Sequence, residues 1–282
     1  MAFETGITSK TKCSRSGRRA LEKIRMADFE NVMLDQSGDR NLKRFIDVAR
    51  ENGLKVPFVH IDCRDVTSIW SLDEQGQAFV DYATNTIKLC GDNGVGTVII
   101  HPTYKKPQVS PSEIGLERVS KLVQIAKSSG VKIALENIDA ESHPYFKYLM
   151  ERIDSSNFGF CFDTGHWNLY MPETDLLGKY GNRLMATHIQ DNFGAQGRQD
   201  LTWKDDMHLL PFDGNIDFDK VACGIAKTGY TGPVMLESHR SKSSIDDYKG
   251  MPPKYFLDAA HNRAVKLAKM IDSYRTNDII SI

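Results

Sequence analysis

Glu136, Asp163, His188 and Glu237 are four side chains that could do chemistry together. Each closes a short apolar run: Ile133-Ala134-Leu135-Glu136, Phe160-Cys161-Phe162-Asp163, Ala186-Thr187-His188 and Val234-Met235-Leu236-Glu237. Brought to one point, three carboxylates and an imidazole would hold a divalent cation. A donor set rich in hard oxygen suits Mn²⁺ or Mg²⁺, with Co²⁺ or Zn²⁺ also able to bind. A closed structural zinc site would use thiolates instead. Without a cation the three acids would repel and raise one another's pKa. Taken singly, each residue reads better as an isolated polar strand end; it is the four together that point to a site. With 37 acidic residues and 8 histidines in 282, chance delivers this quartet on the order of once in ten thousand.

A second polar layer surrounds the quartet. His60 and His101 end two earlier apolar runs, Val59-His60 and Ile99-Ile100-His101. His166 follows Asp163 by three residues, and Asp206 and His208 lie in the long stretch before Glu237. All are candidate substrate contacts, and each alone reads also as a hydrogen-bonded loop or core residue. His143, in a loop beside Pro144, and His261, in the last helix, are assigned to structure. The early basic cluster Lys10, Lys12, Arg15, Arg18, Arg19, Lys23 and Arg25 reads as a solvated helix and its turn, or as a phosphate contact.

The elements that must position these residues alternate along the chain. Apolar runs predict strands over Ala2–Ile7, Asn31–Asp35, Pro57–Ile61, Gly96–His101, Lys132–Glu136, Phe158–Asp163, Leu184–Ile189 and Gly232–Glu237. Helical spacing predicts helices over Arg18–Phe29, Asn41–Asn52, Gln75–Cys90, Ser112–Ser129, Phe218–Thr228 and about Tyr255–Tyr274, several stopped by a glycine. Strands alternating with helices indicate a parallel sheet. Eight such units in 282 residues suit one α/β domain, a (β/α)₈ TIM barrel over residues 1–282, with a doubly wound sheet as the rival. Asp191–Ile216 is the longest irregular stretch, as expected of a lid or binding loop.

Composition narrows the function classes. A formal net charge of −1 advertises no nucleic-acid partner. No apolar run approaches the roughly 18 residues of a membrane span. The five cysteines, Cys13, Cys63, Cys90, Cys161 and Cys223, are scattered and read as reduced thiols. The opening residues lack a secretory pattern. These features set the expectation of a cytoplasmic enzyme acting on a small molecule.

Several segments resemble the xylose isomerase-like barrel superfamily, which holds sugar isomerases, sugar 3-epimerases and endonuclease IV. They are Val98–Pro102, Ile133–Asn137, Gly159–Leu169, Thr187–Asn192, Asp206–Phe218 and Gly229–Glu237. The likeness covers nearly the whole chain and is weakest before about residue 30. It implies one divalent metal on Glu136, Asp163, His188 and Glu237. It further implies Glu136 and Glu237 as the acid/base pair of a sugar or sugar-phosphate isomerase or epimerase, and His166 as a substrate contact. If the chain self-associates, a homo-oligomer, dimer or tetramer, is expected. His60, His101, Asp206 and His208 also fall where the endonuclease branch has the extra ligands of three zinc ions, so a DNA phosphodiesterase is the alternative. Ketose epimerases carry an arginine after the strand-seven histidine. Gly194 and Ala195 stand near that place, with Arg198 an approximate substitute.

Overall fold

The computed structural model describes residues 3–36, 41–104, 107, 109–241 and 248–280. Eight parallel strands run β1 (Thr5–Thr8), β2 (Asn31–Asp35), β3 (Lys55–His60), β4 (Thr97–Ile100), β5 (Lys132–Glu136), β6 (Phe158–Asp163), β7 (Leu184–His188) and β8 (Val234–Leu236). Their spatial order follows the chain, with β8 returning beside β1. The seam between β7 and β8 is joined beyond the strand ends: the Ile189 N–H donates to the Met235 carbonyl at 2.8 Å and the Glu237 N–H to the Ile189 carbonyl at 2.9 Å. The result is a single α/β TIM barrel, not an open doubly wound sheet. Every expected strand is present, most trimmed by a residue or more at an end; Ala2 of the first lies outside the described residues.

Side chains alternate across a strand, so every second residue faces the barrel interior. One interior layer is Met33, Phe58, Ile99, Ala134, Cys161, Ala186 and Met235, one buried residue from each of β2 to β8. At β1 the layer has Gly6, where a β-carbon would stand 2.6 Å from Met235 Cε. Two residues further along each strand come Asp35, His60, His101, Glu136, Asp163, His188 and Glu237. The polar ring is therefore the top layer of the same packed interior. Alternation, not loop folding, aims it inward.

The helices pack outside: α1 (Gly17–Met26), α2 (Leu42–Glu51), α3 (Glu74–Asp92), α4 (Glu113–Ser128), α5 (His143–Arg152), α6 (Thr164–Tyr170), α7 (Leu176–Tyr180), α8 (Phe218–Ala226) and α9 (Pro253–Ile280). Helices α5, α6 and α7 were not expected from periodicity. His143 does not sit in a loop; it opens α5, with Pro144 in the first turn, where a missing N–H costs nothing. Helix α6 carries glycine, asparagine and aromatics, which are weak helix formers. Its cap is Asp163, whose carboxylate accepts the His166 N–H at 2.7 Å.

A tryptophan ties the helical layer to the mouth. The buried Trp70 indole N–H donates to the Pro102 carbonyl at 2.8 Å, one residue past His101. Gly115 on α4 allows the close approach: a β-carbon there would lie 2.1 Å from the Trp70 ring. Gly115→Ala is expected to lower the unfolding free energy by about 1–3 kcal/mol, the usual cost of overpacking a rigid core site. Urea unfolding measures it; an unchanged midpoint would contradict the packing described.

Candidate functional site

At the C-terminal mouth of the barrel, Glu136, Asp163 and His188 are buried, and the Glu237 side chain is 13% exposed. His188 is the hub. Its Nδ1 lies 3.2 Å from Glu136 Oε1, 3.3 Å from Glu237 Oε2 and 3.8 Å from Asp163 Oδ2. Despite this crowding, Nδ1 has no partner in hydrogen-bonding geometry. The ring's other nitrogen faces Met33 Sδ at 3.1 Å. One ligand atom from each of the four residues falls within 4.8 Å of all the others, the spacing of an ion-binding group.

Two further groups adjoin the quartet. His60 Nε2 lies 3.0 Å from His101 Nε2 and 3.1 Å from Glu136 Oε2, and His101 Nε2 lies 3.4 Å from the same oxygen. Glu136 thus offers one oxygen to His188 and the other to this histidine pair. On the opposite flank, His208 Nε2 meets Asp206 Oδ2 at 2.9 Å, and His166 Nε2 stands 3.7 Å from it. His166, Asp206 and His208 again have ion-binding spacing, as do His60, Cys63 and His101.

The charges explain the protonation. Burial pushes the Glu136 carboxyl up, but the imidazoles of His188 and His101 outweigh it and hold it well below its usual range. Glu237 behaves alike, with burial opposed by His188 and His208. Asp163 goes the other way. Burial, reinforced by Glu136 and Glu237 and opposed by His166, pushes it up to about 6. For His166, burial is outweighed by Asp163 and Asp206, and the ring stays charged well above the usual pH.

Of the ten candidate residues, nine meet here. Arg198 does not join them: its guanidinium pairs with Asp200 at 3.0 Å and Asp205 at 2.6 Å on the exposed loop. Three neighbours escaped sequence reasoning. Asp35 ends β2 in register with His60 and pairs with Lys10 at 2.7 Å. It had the same strand-end signal as the quartet. Cys63 accepts the His101 N–H at 3.3 Å. Gln190 touches both acidic flanks; it lies inside the family-like segment Thr187–Asn192, where only its place in space sets it apart.

The long loop is anchored rather than loose at its base. Buried Asp191 accepts the N–H groups of Asn192 at 2.8 Å, Gly214 at 2.8 Å and Ile216 at 3.2 Å. It thereby pins both ends of the segment that carries Asp206 and His208. Asp191→Ala is expected to speed hydrogen exchange across residues 192–216 by tenfold or more while leaving β5 and β6 protected, since each stranded N–H costs about 1–3 kcal/mol. Exchange followed by mass spectrometry reads this; uniform protection would refute it.

Comparisons with known proteins agree with this architecture. An uncharacterized protein, y4fM of Sinorhizobium fredii, is 33% identical over 222 residues, covering 72% of this chain and 64% of that protein. The inosose dehydratase of Salmonella agona is 29% identical over 152 residues, 48% of this chain and 50% of that enzyme. A solved L-ribulose 3-epimerase superposes with a TM-score of 0.73 at 20% identity, over 100% of this chain and 98% of that one. The family described as xylose isomerase-like TIM barrel matches residues 12–264, and the chain belongs to that family.

Proposed function

We propose that the protein is a divalent-metal-dependent isomerase or epimerase of a sugar or sugar phosphate, with Glu136 and Glu237 as its acid/base pair. The observation that carries this reading is the convergence on His188 Nδ1. A buried ring nitrogen with three carboxylates around it and no hydrogen bond is what an ion would satisfy. Ligand atoms on metal arms of about 2.0–2.3 Å stand about 3.3–3.7 Å apart in a tetrahedral set, close to the separations found. Glu136, Asp163, His188 and Glu237 would hold the ion. When bound, it supplies Lewis acidity toward neighbouring substrate oxygens. Imidazole among carboxylates suits Mn²⁺, with Mg²⁺, Co²⁺ and Zn²⁺ as the other candidates.

The chain's own groups do the rest. Glu136 and Glu237 are held ionised, ready to act as bases. One takes the proton from the carbon beside the substrate carbonyl, giving an enediolate. Return of a proton to the neighbouring carbon isomerises; delivery to the opposite face by the second glutamate, once it has itself taken up a proton from solvent, epimerises. Epimerisation and dehydration both begin by breaking a C–H bond, which links this chemistry to the similar enzymes. His166, on the flank between Glu136 and Asp206, is placed to orient substrate hydroxyls.

A sugar and sugar-phosphate panel in D₂O with each of the four metals tests the reading. Solvent deuterium should enter the substrate carbon. Glu237→Gln should cut the exchange rate on the order of 10²- to 10⁴-fold. Full activity in metal-free protein or in that variant would sink the proposal. Separately, ion at about 100 times its Kd should stabilise the fold by about 2.7 kcal/mol, and His188→Ala should abolish the gain in thermal melts.

A second reading has its own observation. The pair His60 and His101 with Glu136, and the triad His166, Asp206 and His208, supply ligands for two more ions beside the quartet. That set suits a three-zinc phosphodiesterase acting on DNA. Elemental analysis separates the readings: one ion per chain favours the sugar enzyme, three zinc ions with cleavage of damaged DNA the nuclease.

A further inference from the structure

Gln190 is fully buried two residues beyond His188. Its backbone is locked to the start of α6: the Thr164 hydroxyl accepts the Gln190 N–H at 3.0 Å and donates to its carbonyl at 2.6 Å. The side chain lies flat over Gly165, where a β-carbon would stand 2.3 Å from Gln190 Cδ. From there Nε2 donates to Asp163, 3.2 Å from Oδ1 and 3.3 Å from Oδ2, and to Asp206 Oδ1 at 3.1 Å. It is also 3.5 Å from His208 Nε2. The amide oxygen is buried with no hydrogen-bond partner. A buried carbonyl left unsatisfied is costly, and turning the amide round would aim that oxygen at two carboxylates. The amide is therefore held in one orientation by the acids it serves.

We propose that Gln190 is a positioning residue that ties Asp163 of the quartet to Asp206 of the neighbouring triad and fixes which oxygen each presents to a metal ion. The inference rests on the metal reading above. Asp163 already caps α6 through one oxygen, so the amide sets the rotation of the remaining lone pairs. Outer-shell donors of this kind typically tune metal affinity 10- to 100-fold.

The test is titration of the full chain with Zn²⁺ and with Mn²⁺ against a chromophoric chelator. Wild type is compared with Gln190→Met, which keeps length and loses both donors, and with Gly165→Ala, which displaces the amide. Both variants should bind about 10- to 100-fold more weakly, with the metal-free melting temperature measured in parallel. A purely structural role would lower that temperature and leave affinity within about twofold of wild type; such a result overturns the inference. Should Gln190→Met fail to fold, Gly165→Ala decides. Wild-type protein that binds neither ion would overturn the metal reading and this inference with it. That failure shows in the wild type alone, so it is distinguishable from a failure confined to the variants.

Discussion

Burying several carboxylates within reach of one another is expensive, because each loses water and feels the others' charge. Here Glu136, Asp163 and Glu237 are forced together by closure of the barrel itself. The cost is met by ringing them with imidazole. His188 sits at the centre, His60 and His101 on one side, His166 and His208 on the other. The acids split accordingly, Glu136 and Glu237 held low by histidines and Asp163 pushed up. Asp163 is fixed in place beside them, one oxygen capping α6 and both accepting from the Gln190 amide.

Much of this was legible in the sequence because strand alternation converts position into direction. Once Ala134, Cys161, Ala186 and Met235 are interior, residues two places on must be interior too. The same arithmetic picks out Asp35, which closes the run Asn31–Asp35 as Glu136 closes its own. Gln190 was beyond such reasoning. It follows the end of β7, and its importance depends on Gly165 leaving room, which is a contact in space. Arg198 stands apart from the nine residues at the mouth. Its place after the strand-seven histidine suggested a substrate contact, but the local pairs with Asp200 and Asp205 use its guanidinium on the surface.

The helices missed, α5 to α7, share a cause. Helix α5 begins with His-Pro, α6 follows directly from β6, α7 has only 5 residues, and all three contain residues of weak helical preference. Packing against β6, with caps from Asp163 and Asp175, stabilises them.

The seam between β7 and β8 has one more consequence. It is stitched at the rim, through Ile189 and Glu237, and Glu237 comes from the last strand of the barrel. A nascent chain that has released β1 to β7 carries three of the four central side chains without the fourth and without the closing bonds. Neither half of the barrel holds the set alone. Acquisition of the full constellation thus coincides with completion of the ring, so a ligand that needs all four side chains would recognise only finished molecules.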